Sequence, residues 1–129
     1  GCVFSFDGHP ADAVPHLQAA LRLNPRGDAA TLLLSDLALA HLLQRQYDEA
    51  VYYARRAIAE FSGDVRAWQR LTAALGHLGL EQEARESLRQ LRRRQRRLGM
   101  EYIDAAYPFR FPEHRELLVG GLRKAGWDG

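Results

Sequence analysis

The side chains that could most plainly bind a ligand are arginines crowded between positions 85 and 97. They are Arg85, Arg89, Arg92, Arg93, Arg94, Arg96 and Arg97. A guanidinium group binds carboxylate or phosphate oxygens through two parallel hydrogen bonds, so this run could bind phosphates or an acidic protein segment. As a candidate basic patch we select Arg89, Arg92, Arg93, Arg96 and Arg97.

Three interpretations of this patch stay open. The same stretch keeps one apolar seam at helical spacing, so the arginines would fill the solvated remainder of a helix; the seam is Ala84, Leu88, Leu91, Gln95 and Leu98. A solvated face is the first interpretation, a protein or acidic-tail contact the second, and nucleic acid the least favoured. No aromatic residues interleave with the arginines, which argues against stacking on single-stranded bases.

Residues typical of catalysis and metal binding are scattered along the sequence. None of the histidines pairs with cysteine or glutamate at a metal-binding spacing; they are His9, His16, His41, His77 and His114. Cys2 has no activating neighbour and is expected to be a small apolar filler. Phosphate-binding loops, nucleophile elbows and dinucleotide fingerprints do not occur. We therefore predict no catalytic residue, no metal, no cofactor and no enzyme activity in this chain, although a catalytic domain could precede it.

Composition and charge narrow the class of protein further. The net charge is only +2, so no global field favours nucleic acid. A single cysteine permits no intrachain disulfide, which favours a reducing, cytoplasmic compartment. No apolar run approaches the roughly 20 residues of a membrane span, and the first residues lack the positive region of a signal peptide. We predict a cytoplasmic protein without membrane contact.

Helices must position the arginines, and a recurring segment indicates how. Tyr47-Asp48-Glu49-Ala50 returns as Glu81-Gln82-Glu83-Ala84, 34 residues later, and a variant lies upstream at Pro10-Ala11-Asp12-Ala13. Leucine and alanine dominate the apolar residues, which favours helix. Self-similarity at this period is typical of arrays of antiparallel helix pairs.

The spacing resembles the tetratricopeptide repeat family, which places small residues where paired helices cross. The middle unit has Ala38, Ala50 and Ala57 at those positions, and the first has Gly1, Ala13 and Ala20. This resemblance implies an all-α, right-handed solenoid of helix pairs with a C-terminal capping helix. Residues 1–98 would form the array, with a first repeat truncated at its N-terminus and repeats near 28–63 and 64–98, and residues 99–129 the capping segment.

The end of each helix follows from turn and capping residues. We expect Asp28 and Asp64 as N-caps, Gly63 in a left-handed turn, and Gly126 as the last C-cap. Pro15 requires that its helix start late or kink there. Nothing stops the helix that begins at Glu81 before Gly99, so we expect it to reach about Leu98.

The tail, including residues 108–114 and 121–126, is similar to the C-terminal repeat region of certain bacterial signalling proteins. In those proteins the region follows a class III adenylate or guanylate cyclase domain, or a DNA-binding regulatory domain. The resemblance implies a regulatory module at the end of a longer protein. No cyclase motif is present, so no catalytic residue is transferred to this chain.

The repeat register also predicts a concave groove that could bind an extended peptide or an amphipathic helix. Its candidate residues are Leu39, Leu42, Leu43, Arg66, Gln69, Ala73 and His77. The alternative is that the three leucines belong to the core or are covered by another helix. The predicted function is non-catalytic protein–protein interaction, with self-association into a homodimer and nucleic-acid contact through helix 85–97 as alternatives.

Overall fold

Helix-favouring leucine and alanine run through the whole chain, and the described part of it is helical. The structure is a computed structural model that describes residues 10–107 and 112–128. In those ranges the helices are α1 Pro10–Leu23, α2 Asp28–Leu43, α3 Tyr47–Glu60, α4 Val65–Leu78, α5 Glu81–Arg94, α6 Met100–Ala106 and α7 Pro112–Lys124. No strand occurs there, and the all-α prediction is confirmed.

Some expectations concern positions outside the described residues. The part of the truncated first repeat that precedes α1, with Gly1, Cys2 and His9, lies in residues 1–9. Part of the tail that resembles signalling proteins lies in residues 108–111. These expectations stay predictions.

Helix α4 lies at the centre of the helix packing. It packs against α3 and α5, its neighbours in the chain, and against α2 and α7. Ala38, Ala50 and Ala57, the small residues of the middle unit, are fully buried. Such alanines let two helix backbones approach closely.

Two of the expected turn residues are confirmed. The carboxylate of Asp64 accepts a hydrogen bond from the backbone N–H of Arg66 at 3.1 Å, as an N-cap does. Gly126, with φ of 114°, follows the last helix in a left-handed conformation.

Two others are wrong. Asp28 is the first residue of α2, and Gly27 precedes it with φ of 88°, which a residue with a side chain rarely adopts. Gly63 does not adopt a positive φ. Helix α3 ends at Glu60, before the chain reaches Gly63, because Phe61 adopts an extended conformation with φ of −153°.

Pro15 lies inside α1 and not in its first turn, so a late start of that helix is wrong. Helix α5 ends at Arg94, which corrects the expected end near Leu98. The chain leaves the helix at Gln95, whose side-chain oxygen accepts a hydrogen bond from buried Gln69 at 2.8 Å. Beyond it Leu98 is buried, and its carbonyl accepts a hydrogen bond from the indole of Trp127 at 2.9 Å. These two distant contacts fix a path that a continuing helix would not follow.

The crossing of α4 and α7 is close enough to require glycine. A Cβ atom on Gly76 would overlap the carbonyl oxygen of Gly121, and one on Gly121 would overlap the carbonyl of Ala73. Helix α7 lies across α4 and reaches α2. The capping segment thus packs on the face that the repeat register assigns to the groove.

Candidate functional site: an arginine-lined groove

Four residues predicted to line a concave groove are buried against the chain's own C-terminal segment. Its apolar candidates Leu39, Leu42, Leu43 and Ala73 are buried. They share one core cluster with residues of α6 and α7, among them Ile103, Leu117, Leu118 and Leu122. In this structure those four residues are no open surface, and the alternative that the leucines belong to the core agrees with their burial.

His77, also predicted to face the groove, contacts α7 through both ring nitrogens. Its Nε2 lies 2.6 Å from the carbonyl oxygen of Leu117 and donates to it. Its Nδ1 lies 3.4 Å from Nζ of Lys124 and accepts from that ammonium. The ring stacks on Tyr47 with 4.6 Å between centroids. Burial lowers the pKa of His77, and the charges of Lys124 and Arg45 act in the same direction, so the neutral ring is favoured.

Gln69 holds the segment that follows α5. Its amide nitrogen donates to Gln95 and, at 3.1 Å, to the hydroxyl of Tyr102, and its oxygen accepts from the hydroxyl of Tyr107 at 2.6 Å. Gln69 is fully buried, so its hydrogen-bonding groups are directed to the protein interior. Arg66, the last groove candidate, is half-buried at the start of α4.

Arg70 and Asp36, which were not predicted from the sequence, form a buried ion pair with 3.5 Å between Nη1 and Oδ1. Arg70 also donates to the carbonyl and the hydroxyl of Ser35, at 2.7 and 2.8 Å, and to Tyr107 at 3.3 Å. Burial raises the pKa of Asp36 to about 6, although the Arg70 guanidinium favours its charged form. An aspartate inside the apolar run of α2 was the available signal, since a buried carboxylate needs a partner.

A surface concavity lies along α5 and the residues that follow it. Five arginines line a concavity of about 840 Å³ there, which we call the arginine groove. Leu88, Ala125 and Gly126 complete its wall. The arginines are Arg85, Arg89, Arg92, Arg93 and Arg96. The groove therefore combines residues of α5, and Arg96 just beyond it, with the residues directly after α7, which lie far away in sequence.

The positive charge of this groove is only partly balanced. Arg89 pairs with Glu86 at 2.6 Å, one turn away on the same helix, and Arg92 pairs with Asp128 at 3.3 Å. Within residues 10–107 and 112–128, no ion pair or hydrogen bond occupies the side chains of Arg85, Arg93 and Arg96. Three exposed guanidinium groups thus remain for an anionic ligand.

The candidate basic patch is divided by the structure. Arg89, Arg92, Arg93 and Arg96 line the arginine groove, whereas Arg97 lines a neighbouring concavity of about 670 Å³ with Arg96, Met100 and Tyr102. Arg94 is directed elsewhere: it donates to the carbonyl of Ser62 at 2.7 Å and lies 4.8 Å from the centre of the Trp68 ring. Arg85, left out of the patch, belongs to the groove.

A second concavity, of about 530 Å³, lies beside a different face of α5. Trp68, Leu71 and Leu75 of α4 form its apolar floor. At its rim Arg55 and Glu83 form an ion pair at 3.2 Å. The charges of this rim are largely paired within the chain, unlike those of the arginine groove.

Comparison with protein-family models, with curated proteins and with solved structures finds no match. In the described part of the chain, no three histidine, cysteine, aspartate or glutamate residues are grouped so that they could hold a metal ion. Nor is any helix in that part long and apolar enough to cross a bilayer.

Proposed function

We propose that this chain is a non-catalytic protein-binding module that binds an acidic segment of a partner protein in its arginine groove. The observation that carries the proposal is that Arg85, Arg93 and Arg96 face one concavity without a carboxylate partner among the described residues. Arginine at an exposed surface provides charge and planar hydrogen-bond donors that match carboxylates.

The proposed architecture is a right-handed solenoid of tetratricopeptide-like helix pairs, closed by α7. The buried alanines at the helix crossings support it. The proposed setting, the C-terminal regulatory part of a cytoplasmic bacterial signalling protein, rests on the resemblance of the tail. Helix α7 packs against α4 and α2, the helices that carry the residues proposed for the concave face, so we assign binding of the partner to the arginine groove.

A protein ligand fits the groove better than nucleic acid. Among the residues that the structure describes, no aromatic side chain lines the groove, so bases would have no stacking partner there. The net charge of +2 shows that the basic residues elsewhere are balanced, which limits the contact to one short segment. Nucleic acid remains a measurable alternative, and so does self-association.

The test is a titration of a fluorescent peptide of alternating glutamate and glycine with the full chain. Affinity should fall with added salt, because exposed charges are screened. Replacing Arg93→Gln together with Arg96→Gln should weaken binding about tenfold or more, since hydrogen bonds to charged groups are lost. The matched control is Arg22→Gln with Arg26→Gln, which removes the same charge from exposed arginines at and beyond the end of α1.

Three outcomes would contradict the proposal. The first is no binding of the peptide at low salt, and the second is an equal loss of affinity in the groove variant and its control. The third is tighter binding of a DNA duplex than of the peptide, which would favour the nucleic-acid alternative. A mass that rises with protein concentration in light scattering would instead favour self-association.

A further inference from the structure

The chain holds one of its own carboxylates at the edge of the arginine groove. Asp128 has a side chain that is 91% exposed, and its Oδ1 lies 3.3 Å from Nη2 of Arg92. Arg92 is half-exposed and lines the groove. The contact therefore lies at the surface, where a carboxylate of a ligand could also reach Arg92.

The residues before Asp128 fix its position without filling the groove. Trp127 is buried, its indole donates to the carbonyl of Leu98, and its backbone N–H donates to the carbonyl of Leu122 at 3.0 Å. Gly126 turns the chain with φ of 114° and has no side chain to cover the groove. Trp127 thus acts as an anchor, and the side chain of Asp128 directly after it reaches Arg92.

From this geometry we infer that Asp128 is an intramolecular competitor, and that the groove takes a carboxylate-bearing protein segment that replaces Asp128 on Arg92. This inference rests on the proposed function and names the chemistry of its ligand. The tether keeps Asp128 at a high effective concentration beside Arg92. An exposed ion pair is nevertheless weak, so a ligand that also contacts Arg93 and Arg96 displaces it.

The ligand and Asp128 use the same donors, which makes the competition specific. Among the described residues, Arg92 is the groove arginine paired with a residue beyond α7, whereas Arg89 is paired with Glu86 on its own helix. Loss of the Asp128 charge leaves four cations of the groove, Arg85, Arg92, Arg93 and Arg96, without an intramolecular carboxylate among the described residues. The affinity for an acidic segment should then rise.

The experiment compares two variants that change the net charge equally. Asp128→Asn removes the competitor, and Asp104→Asn removes an exposed carboxylate that pairs with Arg115 at 2.8 Å, away from the groove. In the glutamate–glycine peptide titration of the full chain, Asp128→Asn should bind about two- to fivefold more tightly than Asp104→Asn, the range of a weak surface ion pair. In an Arg92→Gln background the advantage of Asp128→Asn should disappear.

The possible results separate this inference from the function beneath it. Equal affinity of Asp128→Asn and Asp104→Asn would overturn the competitor, while a loss of binding in the Arg93, Arg96 double variant would still support the groove. Failure of every variant to bind the peptide would overturn both. The indole N–H resonance of Trp127 should keep its position when peptide binds, and a large shift would indicate that the anchor moves, against the inference.

Discussion

Arg70 shows what a buried cation requires in this protein. Its guanidinium reaches the carbonyl and hydroxyl of Ser35, the Tyr107 hydroxyl and the carboxylate of Asp36, so one side chain of α4 connects α2 with the end of α6. Burying an ion pair costs desolvation energy, and the pair is tolerated when such hydrogen bonds satisfy both groups. The Arg70 cluster therefore specifies how these helices fit together.

Arg70→Met should destabilise the fold by about 3 kcal/mol, because it leaves the polar groups around it buried without their donor. The double variant Arg70→Met with Asp36→Leu should recover most of that loss. Urea unfolding followed by circular dichroism measures both. Arg115→Met serves as control, since its ion pair with Asp104 is at the surface and its loss should cost much less stability than the loss of Arg70. A double variant no more stable than the single one would contradict this account.

Part of this cluster could have been predicted from the sequence. Asp36 interrupts an apolar run, and a charged residue there indicates a buried partner. Which cation pairs with Asp36 could not be predicted, because Arg66 and Arg70 both lie on α4. The choice depends on the rotation of α4 against α2, which many distant contacts determine together.

At the scale of elements, two adjacent glycines of α7 differ in what surrounds them. A Cβ on Gly121 would overlap the carbonyl of Ala73, whereas a Cβ on Gly120 would have its nearest neighbour, Cε1 of His77, at 3.9 Å. The first position leaves no room for a methyl group, and the second does. The contact of α7 with α4 therefore depends on one glycine and not on its neighbour.

Gly121→Ala should destabilise the protein by about 1–3 kcal/mol, because the added methyl group forces α7 away from α4. Gly120→Ala should stabilise it by about 0.5–1 kcal/mol, since alanine favours a helix interior. Thermal unfolding of the two variants beside the original chain gives both signs. Equal effects of the two substitutions would show that the close crossing is not what holds α7.

The close crossing of α4 and α7 is a part of the fold that could not be predicted from the sequence. The repeat spacing correctly indicated which small residues of the middle unit are buried, and Asp64 correctly indicated the start of α4. The repeat spacing also assigned Leu39, Leu42 and Ala73 to one face, but it does not indicate which segment covers that face. Gly76 and Gly121 were signals of close packing, yet a glycine does not name the helix that approaches it. The groove on α5 had its arginines visible in the sequence, but not Ala125 and Gly126, which complete its wall only in three dimensions.

At the scale of the whole molecule, the free energy of unfolding depends on pH through buried groups whose effects have opposite signs. The pKa of Asp36 is raised from 3.8 to about 6, so the folded state binds its proton more tightly and stability falls as pH rises from about 4 to 6. Burial lowers the pKa values of His77 and His114, so their contribution is lost as pH falls below about 6.5. Because these two effects oppose each other, the free energy of unfolding varies less with pH than either effect alone would cause.

Asp36→Asn isolates the aspartate, because the histidines cancel in the comparison with the original chain. As pH rises from 4 to 7, the free energy of unfolding of the variant should increase relative to that of the original chain, by an amount on the order of 3 kcal/mol. Free energies of unfolding in urea at intervals of half a pH unit provide the measurement. A relative loss of stability over this range would mean that Arg70 outweighs burial and holds Asp36 ionised.

The arginine groove has one wall on α5 and the other just beyond α7, and this division has a thermodynamic consequence. The two walls meet only while α7 is packed on α4. A ligand that touches both walls binds the packed state more tightly, and by linkage it stabilises that packing by the same factor. Occupancy of the groove and order at the C-terminal end of the chain would then change together.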